Sequence, residues 1–288
     1  MTDTHTIVWV DGMRLPSEGA HISARDRGLT LADGVFETMR AHNGRVFRLE
    51  QHLVRIEGAL RVLAIPAPAE LRDWVDAAIR AAHAPDASVR LTITRGVGPG
   101  GVTAPADPVP TVVVTVAPPP VFGASIYESG LTAQTASGRR NEHSMTAGLK
   151  TLSYTDSVAA MLEVRRDGAD EALFLDTEGH CSEASASNFF AIIDGQLRTP
   201  PTACAALPGI TRAAVLELAA GLNLAVDDRP LDPAKLKFAT EAFLTSSLRG
   251  IAPLVRLDGI AIDTGKPGKV TRQVMAAYAD LVARECGA

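Results

Sequence analysis

Two domains of mixed α/β build, α+β in type, are what this 288-residue sequence predicts. Three observations carry the expectation. The chain is longer than one small core requires. Strand-like and helix-like periodicities take turns in its first third, while the second half is dense in strand and turn signals with few long helices. A stiff run, Pro118-Pro119-Pro120, followed by Phe122-Gly123-Ala124, separates the two regions. The expected division is a smaller N-terminal α/β domain over residues 1–120, an interdomain linker over 121–131, and a larger C-terminal domain over 132–288.

The elements follow in order. Residues 7–10 read as a strand that enters a tight hairpin at Asp11-Gly12. Leu49, Leu53, Ile56, Leu60 and Leu63 recur every three or four residues and make one face of a helix over 49–63; residues 69–82 repeat the pattern. Residues 89–95 and 111–116 are alternating or β-branched runs, hence two neighbouring strands. Past the linker come a strand at 131–135, a helix at 154–166, strands at 171–175 and 188–193, and turns at Glu178-Gly179 and Asp194-Gly195. A helix at 211–220 begins behind Pro208-Gly209, a strand occupies 241–246, and a helix at 270–284 closes the chain. No internal repeat or low-complexity tract is present.

Composition excludes several classes of function. With 46% hydrophobic and 21% charged residues, the balance is that of a soluble globular protein. The net charge of −5 and 23 scattered arginines give no electrostatic reason for nucleic acid. Cys181, Cys204 and Cys286 are odd in number and form no Cys-x-x-Cys pair, so neither a disulfide framework nor a thiolate metal site is expected. The seven histidines show no paired helical spacing or companion carboxylate suited to a metal. Residues 1–6 lack a basic stretch followed by an apolar run, and no segment reaches the ~18 apolar residues of a membrane span. Cytoplasmic residence is the expectation. Gly96-Val97-Gly98-Pro99-Gly100-Gly101 satisfies the dinucleotide fingerprint only formally, because it runs into another strand and opens no helix; it reads as a hairpin loop. No phosphate loop and no nucleophile elbow occur.

Lys150 is the first lysine of the chain, preceded by 149 residues without one. It lies in Thr146-Ala147-Gly148-Leu149-Lys150-Thr151-Leu152-Ser153-Tyr154, a segment that reads as buried. Burial and nearby cations favour the neutral amine, the nucleophile that attacks an aldehyde or ketone. Lys235 and Lys237 begin a helix-like stretch and should face water, and Lys266 and Lys269 flank a Pro-Gly turn. Glu183 stands among small residues in Ser182-Glu183-Ala184-Ser185-Ala186-Ser187, where a flat group could approach it. A carboxylate there could hold a proton on a pyridine nitrogen and make the ring an electron sink. Leu207-Pro208-Gly209-Ile210-Thr211-Arg212 opens a helix, and free N–H groups at such a terminus attract anions. Thr245-Ser246-Ser247 offers hydroxyls to the same anion, and Arg55 offers a fixed positive charge.

Taken together, these residues resemble the class IV pyridoxal phosphate enzymes. That family includes branched-chain aminotransferases, D-amino-acid transaminases, (R)-selective amine transaminases and 4-amino-4-deoxychorismate lyases. The resemblance runs from about Val10 to Ala279. It includes Asp26-Arg27-Gly28, Asp33-Gly34-Val35-Phe36-Glu37-Thr38, His52-Leu53-Val54-Arg55 and Ala169-Asp170-Glu171-Ala172-Leu173-Phe174-Leu175, in the family's order. It implies fold type IV, with pyridoxal 5'-phosphate held between two domains and the site completed across a homodimer. Lys150 would form the Schiff base, Glu183 would pair with the pyridine nitrogen and Tyr154 with the phenolic oxygen. Arg55, Leu207, Ile210, Thr211, Ser246 and Ser247 would hold the phosphate end, and the C-terminal domain would be the main cofactor-binding one. The implied reaction is ping-pong transamination between a small amino donor and a keto acid acceptor.

Within the family the motifs diverge. The Arg-x-His pair of familiar D-amino-acid transaminases is replaced here by Pro99-Gly100-Gly101-Val102. Thr38 stands where branched-chain enzymes usually show glycine, and it resembles the lyases. The reading favoured on sequence is a transaminase of a D-amino acid or (R)-primary amine, with Phe36 and Thr38 near substrate and Arg40 and Arg90 as carboxylate partners. The alternatives are the lyase, which eliminates pyruvate, and a branched-chain L-amino-acid aminotransferase.

Overall fold

The computed structural model describes residues 6–19 and 21–287. Residues 1–5, most of the stretch that shows no leader pattern, lie outside the described residues. The chain divides into two compact units. The first takes in the described residues up to Pro120, together with Leu149–Ser153 and those from Val282 onward; the second comprises Val121–Gly148 and Tyr154–Leu281.

In the first unit the elements are β1 (Ile7–Val10), β2 (Met13–Leu15), α1 (Arg27–Leu31), β3 (Gly34–His42), β4 (Arg45–Val46), α2 (Leu49–Val62), α3 (Leu71–Ala82), β5 (Ala87–Thr94) and β6 (Thr111–Ala117). The strands form one antiparallel sheet in the order β2-β1-β6-β5-β3-β4. Alternate residues of β3, β5 and β6 point to one face: Val35, Met39, Val89, Leu91, Ile93, Val112, Val114 and Val116. There they meet Leu53, Ile56 and Leu60 of α2 and Val75 and Ile79 of α3. Helix and strand periods thus supply one shared core.

The glycine-rich stretch is the loop of the β5–β6 hairpin, as its sequence implies. Arg27, only 3% exposed, holds it in shape. Its guanidinium donates to the carbonyls of Pro99 (3.1 Å), Gly101 (3.0 Å) and Thr103 (3.2 Å), and its Nε donates to Asp33 at 2.8 Å. Arg95 approaches Asp33 from the other side, with Nε at 2.8 Å. Burial works against the Asp33 charge, but the two arginines prevail and lower its pKa.

The second unit contains α4 (Ala124–Glu128), β7 (Leu131–Arg140), α5 (Thr155–Arg166), β8 (Glu171–Asp176), β9 (Cys181–Ala184), β10 (Asn188–Ile193), β11 (Gln196–Arg198), α6 (Ile210–Gly221), β12 (Val226–Asp227), β13 (Ala239–Ser246), β14 (Gly250–Leu257), β15 (Ile260–Ala261) and α7 (Lys269–Cys286), whose last residues belong to the first unit. Pairing runs β10-β13-β14-β7-β8-β9 and returns from β9 to β10, so six strands close on themselves. Alternation sorts their side chains. Leu131, Ala133, Leu173, Leu175, Phe189, Ala191, Leu244 and Leu254 fill one cluster. Phe190, Ile192, Phe243 and Ile251 join Val215 of α6 and Val274 of α7 in a second, where the Phe190 and Phe243 rings stack 4.9 Å apart. Ala136, Ala172 and Phe174 meet Ala160 and Val164 of α5 in a third.

Several expectations need correction. The Lys150 segment is half-buried rather than buried, because only Leu149 packs on the core while Lys150 lies along the rim of the sheet. The strand expected to end at residue 135 continues to Arg140 past a register shift between Thr135 and Arg139. Its small residues Ala136, Ser137 and Gly138 hide the alternation. The helix-like stretch at 232–237 is a 3-10 helix, Pro233–Phe238, although Lys235 and Lys237 are exposed as expected. Two long strands were missed. In β3 the charged Glu37 occupies a core-facing row, and in β14 Pro253 interrupts a strand pattern whose pairing with β7 begins only at Leu254.

Gly34 shows how tightly β3 is seated. A Cβ there would lie 2.5 Å from the carbonyl oxygen of Ile93 and 2.8 Å from Thr94 Cα, both backbone atoms. Gly34→Ala is expected to destabilise the protein by about 1–3 kcal/mol, the usual cost of overpacking. An unchanged denaturation midpoint would remove this close approach from the account of β3.

Candidate functional site

Each unit carries part of the candidate residue set. In the first unit, residues 150–152 add a short third partner to β3. The Phe36 N–H donates to the Lys150 carbonyl at 2.9 Å, the Leu152 N–H donates to the Gly34 carbonyl at 3.0 Å, and Val35 pairs with Thr151. Strand alternation then puts Lys150 and Phe36 on one face, and the Lys150 Nζ lies 4.3 Å from the centre of the Phe36 ring. Thr38 and Arg40 follow on the same face of β3. Arg90 of β5, directly opposite Thr38, lays its guanidinium 3.8 Å above the same ring and donates from Nε to Thr92 Oγ1 at 3.2 Å. Phe36, Thr38, Arg40, Arg90 and Lys150 are thus neighbours on one surface. A cation over an aromatic face is favourable, and Arg90 and Lys150 both use this ring.

Glu37 points the opposite way, toward α2, and is 1% exposed. Its carboxylate receives a two-pronged contact from Arg55, Nε to Oε1 at 2.7 Å and Nη2 to Oε2 at 2.6 Å. His52 Nδ1 lies 2.7 Å from Oε2. One helical turn separates His52 from Arg55, so α2 delivers both to one carboxylate. Burial alone would raise the Glu37 pKa, but the hydrogen bonds from His52 and Arg55 outweigh it and lower it. Burial lowers the His52 pKa, and the nearby Arg55 and Lys150 charges add to that against the pull of Glu37. A neutral imidazole donating Nδ1–H to an ionised Glu37 fits both directions. The sequence reading singled out Arg55 and missed the glutamate that orients it, since a lone carboxylate in a strand gives no local signal.

The second unit carries Glu183, Tyr154, residues 207–211 and Ser246-Ser247. Glu183 lies near the end of β9, beside Asn188 of β10. Its Oε2 accepts the Leu207 N–H at 2.8 Å, and its Oε1 lies 3.3 Å from Arg140 Nε. Leu207 therefore acts on the candidate carboxylate. Arg140 is a further residue that the sequence reading missed: its guanidinium lies 4.1 Å from the centre of the Phe174 ring and donates to Ser157 Oγ at 2.9 Å. It comes from the end of β7, which the sequence shows only to residue 135. Tyr154 immediately precedes α5 and is half-buried.

The start of α6 fits an anion. Its N-cap, Gly209, supplies no side-chain hydrogen bond, so the first N–H groups of the helix are not taken up by a capping side chain. Glycine is required there because a Cβ would lie 1.9 Å from Asn188 Oδ1. Asn188 in turn donates to the Leu207 carbonyl at 2.7 Å and pairs across the sheet with Thr245, next to Ser246 and Ser247. Asn188 thus links the α6 start to the hydroxyl-bearing turn. A primary amine for an aldehyde, a fastened carboxylate for a ring nitrogen, and an uncapped helix start with hydroxyls for a phosphate match the functional groups of pyridoxal 5'-phosphate.

The Glu37 cluster predicts an acid response. Both Glu37 and His52 have lowered pKa values in the folded chain, so the unfolded chain binds more protons, and stability falls as pH falls. The His52 share begins to be lost below its ordinary value of about 6.5, and the Glu37 share below about 4.3. His52→Asn, which keeps a donor near the Nδ1 position, is expected to show a shallower loss of stability between about pH 7 and 5 than the parent. Chemical denaturation across that range measures it, and parallel curves would remove His52 as the titrating group.

Comparison with known proteins agrees with this chemistry. The model of the family described as Amino-transferase class IV matches residues 34–257. The branched-chain-amino-acid aminotransferase of Escherichia coli (strain K12) is 30% identical over 288 residues, covering 96% of this chain and 93% of the relative. A crystal structure of the E. coli branched-chain enzyme matches with 30% identity and a TM-score of 0.91 over 96% of this chain and 94% of that one. The 4-amino-4-deoxychorismate lyase of Pseudomonas aeruginosa matches at 0.85, with 33% identity over 96% and 98% of the two chains. A branched-chain amino acid aminotransferase from T.th., solved with pyridoxamine 5'-phosphate, matches at 0.90, with 28% identity over 96% and 93%. Because the family model spans most of the sequence and these relatives match nearly end to end, the chain belongs to the class IV aminotransferases, fold type IV enzymes that use pyridoxal 5'-phosphate.

Proposed function

We propose that the protein transfers the amino group of a branched-chain L-amino acid to a 2-keto acid, as a cytoplasmic homodimer. The observation that carries a carboxylate-bearing donor is the pair Arg40 and Arg90 on the same face as Lys150, with Phe36 beneath the amine and Arg90 stacked on its ring. A simple amine such as (R)-1-phenylethylamine carries no carboxylate for either arginine to bind. The branched-chain side chain rests on the relatives named as branched-chain aminotransferases, and the L configuration is part of the proposal, since none of the named relatives is described as a D-amino-acid or (R)-amine enzyme. They shift the preference away from the D-amino-acid or (R)-amine donor favoured on sequence, which the experiment below tests directly.

Pyridoxal phosphate, when bound, supplies an aldehyde that captures an amine and a ring that accepts an electron pair from the substrate carbon. Lys150 Nζ would serve as the base that removes the proton from the substrate α-carbon and returns it. Glu183, fastened by the Leu207 N–H and paired with Arg140, holds the proton on the ring nitrogen. Tyr154 donates to the phenolic oxygen. The N–H groups of Ile210 and Thr211, the hydroxyls of Ser246 and Ser247, and Arg55 hold the phosphate, with Arg55 aimed by Glu37. In this reading the first unit is the smaller domain, with Leu149–Ser153 and the chain from Val282 added to it, and the second unit, which takes in residues 121–131, is the larger, cofactor-binding domain.

A second reading is pyruvate elimination from 4-amino-4-deoxychorismate. It is favoured by Thr38, whose hydroxyl-bearing side chain shares the Lys150 face, and by the likeness to the Pseudomonas aeruginosa lyase.

The test is the visible band of the purified, cofactor-loaded protein after separate additions of L-leucine, D-alanine and (R)-1-phenylethylamine. Bleaching by L-leucine is the expected result. Bleaching by D-alanine or the amine alone overturns the proposed donor, and pyruvate release from aminodeoxychorismate without bleaching by any donor establishes the lyase. A separate expectation concerns Glu37. Glu37→Gln removes a charge-assisted contact worth about 1.5–3 kcal/mol, so the cofactor Kd should rise roughly 10- to 100-fold while the fold persists. Equal cofactor affinity in the variant would detach Arg55 from phosphate binding.

A further inference from the structure

Away from these residues, the second unit gathers three different metal-ligating side chains. Asp176 and His180 stand at the two ends of the β8–β9 hairpin, whose tight turn uses Gly179 at φ +88°. The hairpin exchanges backbone bonds, Asp176 N–H to the His180 carbonyl at 2.8 Å and Gly179 N–H to the Asp176 carbonyl at 3.2 Å. Asp176 Oδ1 also accepts the His180 N–H at 2.7 Å. One carboxylate oxygen is thereby fixed to the turn, and the other, Oδ2, faces the imidazole. Cys204 arrives from a separate element, the 3-10 turn Thr202–Cys204, and brings its Sγ to within 4.8 Å of an Asp176 carboxylate oxygen. Asp176 and Cys204 are 2% and 3% exposed, while the His180 side chain keeps about a third of its surface, which leaves a route in from solvent.

The spacing is that of ligands rather than of a closed hydrogen-bond network. One ligand atom from each of Asp176, His180 and Cys204 lies within 4.8 Å of the others. His180 Nδ1 is 3.5 Å from Asp176 Oδ2 and 3.6 Å from Glu178 Oε2, and this buried nitrogen makes no hydrogen bond. Two ligands about 2.0–2.1 Å from one tetrahedral ion are separated by roughly 3.3–3.4 Å, close to the separation seen. The surroundings favour a cation. Two carboxylates, those of Asp176 and Glu178, face the His180 imidazole within 3.6 Å. Cysteine binds such an ion as its thiolate, releasing a proton as the ion enters.

We propose that Asp176 Oδ2, His180 Nδ1 and Cys204 Sγ form a binding site for one divalent cation of the zinc class, with Glu178 or a water as the fourth ligand. Mixed sulfur, nitrogen and oxygen donors at this spacing select zinc over magnesium or calcium, which take oxygen alone. Spacing in the sequence points away from a metal, because Asp176 and His180 are too few by themselves and Cys204 joins them only through the fold. The ion would tie the β8–β9 hairpin to the turn three residues ahead of Leu207, whose N–H holds Glu183.

The test uses untagged, cofactor-loaded protein, dialysed against a chelator and then titrated separately with zinc and cobalt(II). Expected are one tightly retained equivalent per chain by elemental analysis, a rise in Tm, and a near-ultraviolet thiolate-to-cobalt charge-transfer band. Cys204→Ser should abolish that band, His180→Gln should weaken zinc binding by at least about tenfold, and Cys286→Ser should leave both readouts intact. If Cys204→Ser does not fold, His180→Gln decides, because that side chain is partly exposed and outside the packed core. No retained metal, a cobalt band that survives in Cys204→Ser, or zinc binding undiminished in His180→Gln overturns the proposal. Neither readout depends on amino transfer, so failure here is distinct from failure of the donor assignment.

Discussion

The pairing of residues 150–152 along β3 is the constraint on which the first unit's chemistry rests. Two backbone hydrogen bonds set the register of the lysine segment against Gly34 and Phe36. Because side chains alternate along a strand, that register decides which face Lys150 occupies, and a slip of one residue would turn it away from Phe36 and Arg90. The same alternation sends Glu37 to the helix side, where it takes Arg55 and His52. One strand therefore sorts two tasks, amine and substrate groups on one face and the anchored arginine on the other. Gly34 permits this because anything larger would press on the backbone of β5.

The second unit reaches a comparable result by closure. Six strands pair in a ring, and the last join, β9 to β10, sets Glu183 beside Asn188. Asn188 then acts in three directions: it pairs with Thr245, donates to the Leu207 carbonyl and leaves no room for a side chain at residue 209. Glu183 receives the Leu207 N–H from the same segment. The carboxylate and the anion-binding helix start are thus referenced to one asparagine. A closed ring also leaves these strands few free edges, which suits a scaffold that must hold polar groups in fixed positions.

Much of this was legible in the sequence wherever a period was clean. The helices α2, α3, α5, α6 and α7 and the strands β5, β6, β10 and β13 follow from spacing, and Lys150, Glu183 and the Pro-Gly-Ile-Thr-Arg turn stood out by their company. The rest was hidden for identifiable reasons. A charged residue in a core row disguised β3, a proline disguised β14, and three small residues disguised the end of β7 and with it Arg140. Pair partners were least legible. Glu37 for Arg55, Leu207 for Glu183 and Cys204 for Asp176 are defined by contacts between elements, and no local pattern encodes them. Substrate preference was read from motif departures such as Thr38, and these identify neighbours of the amine without fixing the donor.

The buried guanidinium of Arg27 has a consequence for how the long β5–β6 connection can vary. Residues 99–103 contain no regular structure, yet carbonyls of Pro99, Gly101 and Thr103 converge on one planar group that is itself fixed by Asp33. Such a loop is shaped by its carbonyls and hardly by its side chains, so its sequence is open to change while its path is not. Lysine at position 27 could not serve as the hub, since a single ammonium lacks the spread of a flat, forked donor. The loop therefore hangs on two residues outside its own length, Arg27 and the Asp33 that fixes it, and apart from Gly101, held at positive φ, its surface can diversify only while that pair stays intact.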